Sequence, residues 1–234
     1  MVYLILSVFF ISWVSFIYMI MKKRRLDGFY LKGLTSFTFI FLYAYGVYHS
    51  LNQGLVGVSQ SMTVLMIGIG LGLVLGLIGD LYLEVQYFHS NSKIKQIKYG
   101  MIVFGLGHLF YLSAMTEVIS FNFFSFLIGI IMTLLTIIGG HFLKLDFGKL
   151  KYYSYGYSVI IFTMVGQSIF QVIALKADTF SLIFMTGAIF FGLSDLLLAP
   201  IYFKKDTHKL FVIANLGTYY LGQILIALSI YYLI

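Results

Sequence analysis

The chain has 234 residues, of which 61% are hydrophobic and only 10% are charged, and its mean hydropathy is +0.98. So little polar surface excludes a water-soluble globular domain of this length and indicates a protein whose solvent is lipid. The formal charge of +7 does not indicate a nucleic-acid partner, because the basic residues form short clusters between apolar segments rather than one continuous face.

Long apolar segments alternate with short polar connections along the whole chain. A helix crosses the bilayer core with about 20 apolar residues. Segments of that length cover residues 2–21, 33–51, 61–83, 98–116, 120–142, 153–175, 180–202 and 210–233. The sequence therefore predicts an all-α polytopic membrane protein with eight transmembrane helices in a single domain, residues 1–234. The first segment is expected to be a helix rather than a cleaved signal peptide, because its basic residues follow it.

The basic residues predict the orientation of these helices. Fourteen of the 15 lie in alternate connections, around residues 22–32, 93–98, 144–151 and 204–209. The positive-inside rule assigns these connections to the cytoplasm. Both termini are then non-cytoplasmic, and the expected location is a bacterial plasma membrane. The loops are too short for a soluble catalytic domain, so any chemistry must lie among the helices.

An internal repeat relates the two halves of the chain. Residues 72–88 align without a gap on residues 187–203, at an offset of 115. The matched pairs include Gly72/Gly187, Asp80/Asp195, Tyr87/Tyr202 and Phe88/Phe203. We predict a four-plus-four duplication, with half-repeats 1–118 and 119–234. Four helices per half give a parallel repeat, related by an axis along the membrane normal.

Three ionisable residues are predicted at membrane depth. Asp195 precedes Lys204 by nine residues, roughly 13 Å along a helix, and Asp80 is its counterpart in helix three. His108 lies at a comparable depth in helix four. Charged groups in the bilayer are costly, so they are candidates for function. We expect the two aspartates and His108 to line one interior cavity. The alternative is that each aspartate only locks helices together by hydrogen bonds.

Further polar residues share helix faces with these three. Glu84 follows Asp80 by one helical turn, and it is either an accessory residue or an interfacial one. Other accessory candidates are Tyr111 in helix four and Tyr219 and Gln223 in helix eight. The remaining histidines, His49, His89, His141 and His208, fall at span ends or in loops and are assigned no chemistry. With no cysteine and one histidine at this depth, neither a metal site nor a cofactor is predicted.

At these positions the sequence resembles the YhhN family of multi-pass membrane proteins, whose characterised animal members are lysoplasmalogenases. The most specific element is the segment Ser194-Asp195-x-x-Leu198-Ala199. The other matching residues are Gly79, Asp80, Leu83, Phe104, His108, Tyr111, Tyr157, Met164, Gly187, Ala188, Phe191, Phe203, Thr218, Tyr219 and Gln223. One departure is Lys32-Gly33, where a Lys-Pro pair opening helix two would be expected.

The resemblance implies hydrolysis of the vinyl ether bond of a lysoplasmalogen, a lysophospholipid, to a fatty aldehyde and a glycerophospho-base. Vinyl ethers hydrolyse by protonation at carbon, and water then attacks the oxocarbenium ion. A catalyst therefore needs a protonated acid and a nearby negative group. Asp80 and Asp195 fit these roles in either order, since two close buried carboxyl groups do not both ionise readily. His108 would orient water or a carboxylate, and Ser194 would be an accessory residue.

Two other classes of function fit the same residues. A proton-coupled transporter or channel also places carboxylates at membrane depth in repeated helices. A protein that binds membrane lipids without turnover is the third possibility. The transporter would be favoured by helices broken at the site, whereas the only proline, Pro200, follows Asp195 near the membrane surface.

Overall fold

The described part of the chain forms a bundle of eight long α-helices. The computed structural model describes residues 1–52, 59–88, 92–204 and 206–233, and His89 and Lys205 lie outside these ranges. The helices are α1 (Val2–Met21), α2 (Arg25–Asn52), α3 (Gln60–Val85), α4 (Lys93–Thr116), α5 (Phe123–Phe142), α6 (Lys151–Ala174), α7 (Thr179–Phe203) and α8 (Lys209–Ser229). Short 3₁₀ turns follow at Gly148–Leu150 and Ile230–Tyr232. The described residues form no strand, which confirms the all-α class.

Polar side chains and tight turns set the ends of the helices. Ser59, Asn122 and Asp178 cap α3, α5 and α7, because each side chain accepts a hydrogen bond from a backbone N–H in the first turn. After α1 and α5 the chain reverses through Lys23 and Lys144, whose φ angles are 59° and 54°. These connections are short, as the apolar pattern predicts.

Seven of the eight helices are long and apolar enough to cross a membrane. The exception among the described helices is α2, which has ample length, at 28 residues, but more polar side chains. Four of them, Lys32, Thr35, Ser36 and Thr38, are buried inside the bundle. The chain is therefore an integral multi-pass membrane protein. The eighth span and the orientation of the termini stay predictions.

Six helices form a closed ring around the interior. In order, α2, α3, α4, α6, α7 and α8 each pack against the next, and α8 returns to α2. The first helix of each half lies outside this ring, with α1 against α2 and α5 against α6. The ring brings residues from both halves of the chain around one shared space.

Close glycine contacts hold α3 to α4 and α7 to α8. A Cβ atom added to Gly107 would lie 3.2 Å from the carbonyl oxygen of Gly72. One added to Gly222 would lie 2.9 Å from that of Gly187. The two contacts are related by the offset of 115 residues, and the order of helix neighbours is also the same in both halves. This arrangement is what the four-plus-four duplication predicts, and the duplication itself stays a prediction.

Candidate active site

The interior of the ring contains a cavity of about 240 Å³. It lies at the end of the bundle where α1 ends and α2 and α8 begin. Its polar lining comes from α2, α3, α6, α7 and α8. These side chains include Lys32, Asp80, Glu84, Tyr157, Asp195 and Tyr219. The fold thus brings the two repeated aspartates to the same cavity, although they are far apart in the sequence.

Asp80 is held by three polar groups. Ser36 Oγ and Tyr219 Oη donate hydrogen bonds to Oδ2, at 2.7 and 2.8 Å. On the other oxygen, the ammonium group of Lys32 lies 3.4 Å from Oδ1. Asp80 is only 2% exposed. Each of these three contacts favours the carboxylate form of Asp80 over its neutral form.

Lys32 also pairs with Glu84, one helical turn beyond Asp80. The distance from Lys32 Nζ to Glu84 Oε2 is 3.5 Å, and Arg25 Nη1 lies 3.8 Å from Glu84 Oε1. Lys32 and Glu84 are 6% and 4% exposed. The buried trio of Lys32, Asp80 and Glu84 carries a formal net charge of −1, while Arg25 is partly exposed at the cavity entrance.

The structure corrects one reading of the sequence and adds to another. Lys32 was assigned to a basic connection, but α2 already begins at Arg25, so Lys32 lies inside a helix and inside the bundle. Glu84, the next-to-last residue of α3, is buried beside Lys32, so it belongs to the polar cluster around Asp80. The sequence contained a signal for this contact. Two carboxylates one turn apart on a buried helix face need a cation nearby.

Asp195 has quite different surroundings. Tyr157 Oη donates a hydrogen bond to Oδ2 at 3.1 Å. Within the described part of the chain, no Lys, Arg or His nitrogen lies within 4.0 Å of its carboxyl group. The fold therefore places two aspartates on one cavity with unequal partners. Asp80 has a cation, and Asp195 has a tyrosine hydroxyl.

His108 does not line the cavity with the aspartates, contrary to the prediction. Its ring is buried edge-on against Phe191 and Tyr157, with centroid distances of 4.4 and 6.0 Å, and both of those residues do line the cavity. Nδ1 lies 2.6 Å from the carbonyl oxygen of Phe104, so Nδ1 carries the hydrogen that it donates. His108 therefore touches the cavity wall from behind, through Phe104, Tyr157 and Phe191.

The accessory candidates form a hydrogen-bonded chain that ends at Asp80. Tyr111 Oη donates to Gln223 Oε1 at 3.0 Å, and Gln223 Nε2 donates to Tyr219 Oη at 3.3 Å. Tyr219 in turn donates to Asp80. Ser194 lines the cavity, but its hydroxyl donates to the Phe191 carbonyl oxygen at 2.8 Å. The chain of three side chains fixes the orientation of the Asp80 carboxylate.

Asp195 also lines a second, apolar cavity of about 60 Å³. The two cavities share Tyr157, Asp195, Leu198 and Tyr202 in their walls. The rest of the smaller cavity is largely apolar and includes Ile161, Phe162, Leu196, Ala199 and Phe203. Asp195 thus belongs to the walls of two cavities, one lined by charged side chains and one lined mainly by apolar side chains.

The described residues contain no group of three His, Cys, Asp or Glu side chains that could hold a metal ion.

The helices and the cavity define a multi-pass helical membrane protein with a carboxylate-lined cavity inside its bundle. The YhhN family model matches residues 34–230, well over half of the chain, and the chain belongs to the YhhN family. No curated protein and no solved structure matches it.

Proposed function

We propose that this protein is an intramembrane hydrolase that cleaves the vinyl ether bond of a lysoplasmalogen in a bacterial plasma membrane. The products are a fatty aldehyde and a glycerophospho-base. The observation that carries the proposal is the pair of unequal aspartates on one cavity. Asp80 has a cationic partner and Asp195 has none among the described residues. Vinyl ether hydrolysis requires this combination of one proton donor and one fixed negative charge.

Asp195 is the proposed acid. Asp195 is partly buried and has no cation within 4.0 Å among the described residues, and such a carboxyl group favours its neutral form. The hydroxyl of Tyr157 holds Oδ2, which leaves the other oxygen free to carry the proton toward the substrate. A correctly positioned general acid typically contributes about 10² to 10⁴ in rate.

Asp80 is the proposed stabiliser of the positive intermediate. Its carboxylate is fixed by Ser36, Tyr219 and Lys32, so it does not need to reorganise when charge develops on the substrate. The net negative charge of the buried trio favours a cation in the adjoining cavity. His108, packed against Tyr157, is a positioning residue for the acid in this proposal.

The reaction balances with water as the only co-reactant. Asp195 donates its proton to the vinyl carbon farther from oxygen, and the double-bond electrons form the new C–H bond. Water attacks the oxocarbenium carbon and returns a proton to the Asp195 carboxylate. The resulting hemiacetal breaks its bond to the glycerol oxygen, which takes the hydroxyl proton. A fatty aldehyde and a glycerophospho-base leave the site.

The two cavities support an amphiphilic substrate. The larger one is lined by charged residues and opens near basic side chains, and the smaller one is apolar. In a lysophospholipid the ether oxygen joins a polar glycerol to a hydrocarbon chain. A substrate lying across Asp195 would place its polar part in the first cavity and the start of its chain in the second.

The test is a turnover assay with purified protein in detergent. Lysoplasmalogen and an ester lysophospholipid are supplied separately, and aldehyde and free fatty acid are measured. We expect aldehyde only, and we expect Asp80→Asn and Asp195→Asn each to abolish it. Asp178→Asn is the matched control, because Asp178 caps α7 outside the cavity and Asn is also a good cap. Near-normal turnover by both folded cavity variants would refute the proposal.

Solvent deuterium distinguishes protonation at carbon from other routes to the same products. In D₂O one deuterium should appear at carbon 2 of the aldehyde, trapped at once by reduction to the alcohol. Product that carries no deuterium at carbon 2 would mean that Asp195 does not protonate the double bond.

A proton-coupled transporter is the second candidate, and the buried Lys32–Asp80 pair favours it. In a carrier, the carboxylate of such a pair separates from its lysine partner when it takes up a proton or binds the substrate. Proteoliposomes containing a pH-sensitive dye separate the two functions. Lysolipid-dependent proton movement without aldehyde would favour the transporter, and aldehyde without proton movement would favour the hydrolase.

A further inference from the structure

The entrance of the large cavity is lined by basic side chains from separate parts of the chain. Lys23 lies in the turn between α1 and α2, Arg25 begins α2, and Lys209 begins α8. All three line the same cavity as Asp80 and Asp195, and all three lie at helix ends, where the cavity leaves the bundle. The fold therefore gathers positive charge at an opening of the cavity that holds the aspartates.

Two of these three cations lack an anionic partner. Within the described ranges, neither Lys23 nor Lys209 has a carboxylate within 4.0 Å. Arg25 is held in place, because its guanidinium stacks on the Tyr87 ring at 3.9 Å and lies 3.8 Å from Glu84. The backbone N–H groups at the start of α8 add a partial positive charge beside Lys209.

The charge balance of the cavity points to an anionic ligand. Deeper inside, Lys32 is already compensated by Asp80 and Glu84. The excess positive charge is thus confined to the entrance, where a bound anion would lie near Lys23, Arg25 and Lys209. Several separate donors around one opening suit a phosphate group, which has several acceptor oxygens.

We propose that Lys23, Arg25 and Lys209 bind the phosphate of an amphiphilic phosphodiester whose glycerol end then reaches Asp195. This inference rests on the proposed function only for the identity of the lipid, since the phosphate site is defined by the three cations. It adds a headgroup requirement: a lipid without phosphate would enter the cavity less favourably.

The other half of the chain offers a matched control. Lys144 follows α5 with a positive φ as Lys23 follows α1, and Lys93 begins α4 as Lys209 begins α8. Neither Lys144 nor Lys93 lines the cavity. The pair Lys23→Gln/Lys209→Gln and the pair Lys93→Gln/Lys144→Gln therefore remove the same charge from similar positions, but only the first pair changes the entrance.

The experiment measures equilibrium binding in detergent, without turnover. The probes are a saturated 1-O-alkyl lysophospholipid, which has no double bond to protonate, and the 1-O-alkylglycerol with the same chain. Wild type should bind the phosphate-containing probe more tightly. Each entrance charge is expected to contribute roughly fivefold, so the Lys23/Lys209 variant should lose about 25-fold for that probe. Binding of the alkylglycerol should not change.

Competition identifies the source of the phosphate. Displacement by glycerophosphocholine but not by inorganic phosphate would assign the site to a lipid headgroup, and displacement by both would assign it to phosphate in general. The proposal is overturned if wild type shows no preference for the phosphate probe, or if the Lys93/Lys144 control loses as much affinity. Absence of aldehyde in the turnover assay, with phosphate-dependent binding intact, would instead count against the hydrolase. The binding experiment does not depend on turnover, because neither probe is hydrolysed.

Discussion

Lys32 Nζ lies 3.4 Å from Asp80 Oδ1, and both side chains are buried inside the bundle. Removing one partner of a buried ion pair leaves the other charge without compensation. Lys32→Met should therefore lower the free energy of unfolding by about 3–5 kcal/mol. Thermal unfolding in detergent measures the loss.

The control for this prediction is the exposed pair of Arg24 and Asp27, whose side chains are 61% and 41% exposed. Arg24→Ala should cost no more than about 1 kcal/mol. Adding Asp80→Asn to Lys32→Met should restore part of the lost stability, because the two residues interact directly. Equal losses for Lys32→Met and Arg24→Ala would show that the buried contact contributes little.

The Tyr157 hydroxyl should affect both the rate and its pH dependence. Tyr157→Phe removes the hydrogen bond to Asp195, and we expect turnover to fall roughly 10- to 100-fold. Wild-type activity should decline as the pH rises, because an ionised Asp195 has no proton to donate. The lost hydrogen bond favoured the ionised form, so the decline in Tyr157→Phe should move to higher pH.

Tyr43→Phe serves as the control for that pH profile. The Tyr43 hydroxyl donates to the Met66 carbonyl oxygen at 2.6 Å, and Tyr43 does not line the cavity. Its removal should leave the pH profile of turnover where it is. A decline that stays at the same pH in Tyr157→Phe would mean that Asp195 is not the acid.

The glycine contact between α7 and α8 should not tolerate a methyl group. In Gly222→Ala the new Cβ would lie 2.9 Å from the carbonyl oxygen of Gly187, and backbone cannot move aside as a side chain can. We expect a loss of about 1–3 kcal/mol in unfolding free energy. Gly156→Ala is the control, because no atom lies within 4 Å of the added carbon. A similar melting temperature for both variants would contradict the close packing.

The orientation of the bundle can be tested directly, since the chain has no cysteine. Single cysteines at Asn52 and Glu117 should react with an impermeant thiol reagent added outside intact cells, whereas cysteines at Lys95 and Lys149 should not. All four positions are exposed, so all four should react after solubilisation. Labelling of only the lysine positions in intact cells would reverse the predicted topology.

Much of the fold follows from the sequence, because an apolar segment of about 20 residues in lipid must satisfy its own backbone hydrogen bonds and does so as a helix. Each predicted span overlaps one observed helix. The second span was placed at 33–51, and the observed α2 begins at Arg25. The mean hydropathy of the segment excludes Lys32 from the predicted span. A charged residue lowers that mean whether its side chain faces lipid or a buried carboxylate. The partner that makes Lys32 acceptable lies in another helix.

The candidate site was predictable in part, for a related reason. The repeat and the helix depth placed Asp80 and Asp195 at one level, and the structure puts both on one cavity. Depth says nothing about the direction of a side chain around its helix axis. His108 therefore shares the level of the aspartates but packs behind Tyr157 and Phe191. The sequence also does not predict that Asp80 pairs with a lysine and Asp195 with a tyrosine, because both partners lie on other helices.

The polar second helix bears on how the protein is assembled. Of the eight described helices, only α2 is less apolar than a membrane-spanning helix ordinarily is. A lysine at the centre of an isolated inserted helix costs about 2.5–3.5 kcal/mol, and Lys32, in the third turn of the 28-residue α2, carries part of that cost. That cost is relieved when Asp80 and Glu84 arrive on α3. We therefore expect α2 to insert stably only together with α3, so that the two helices enter the bilayer as one hairpin.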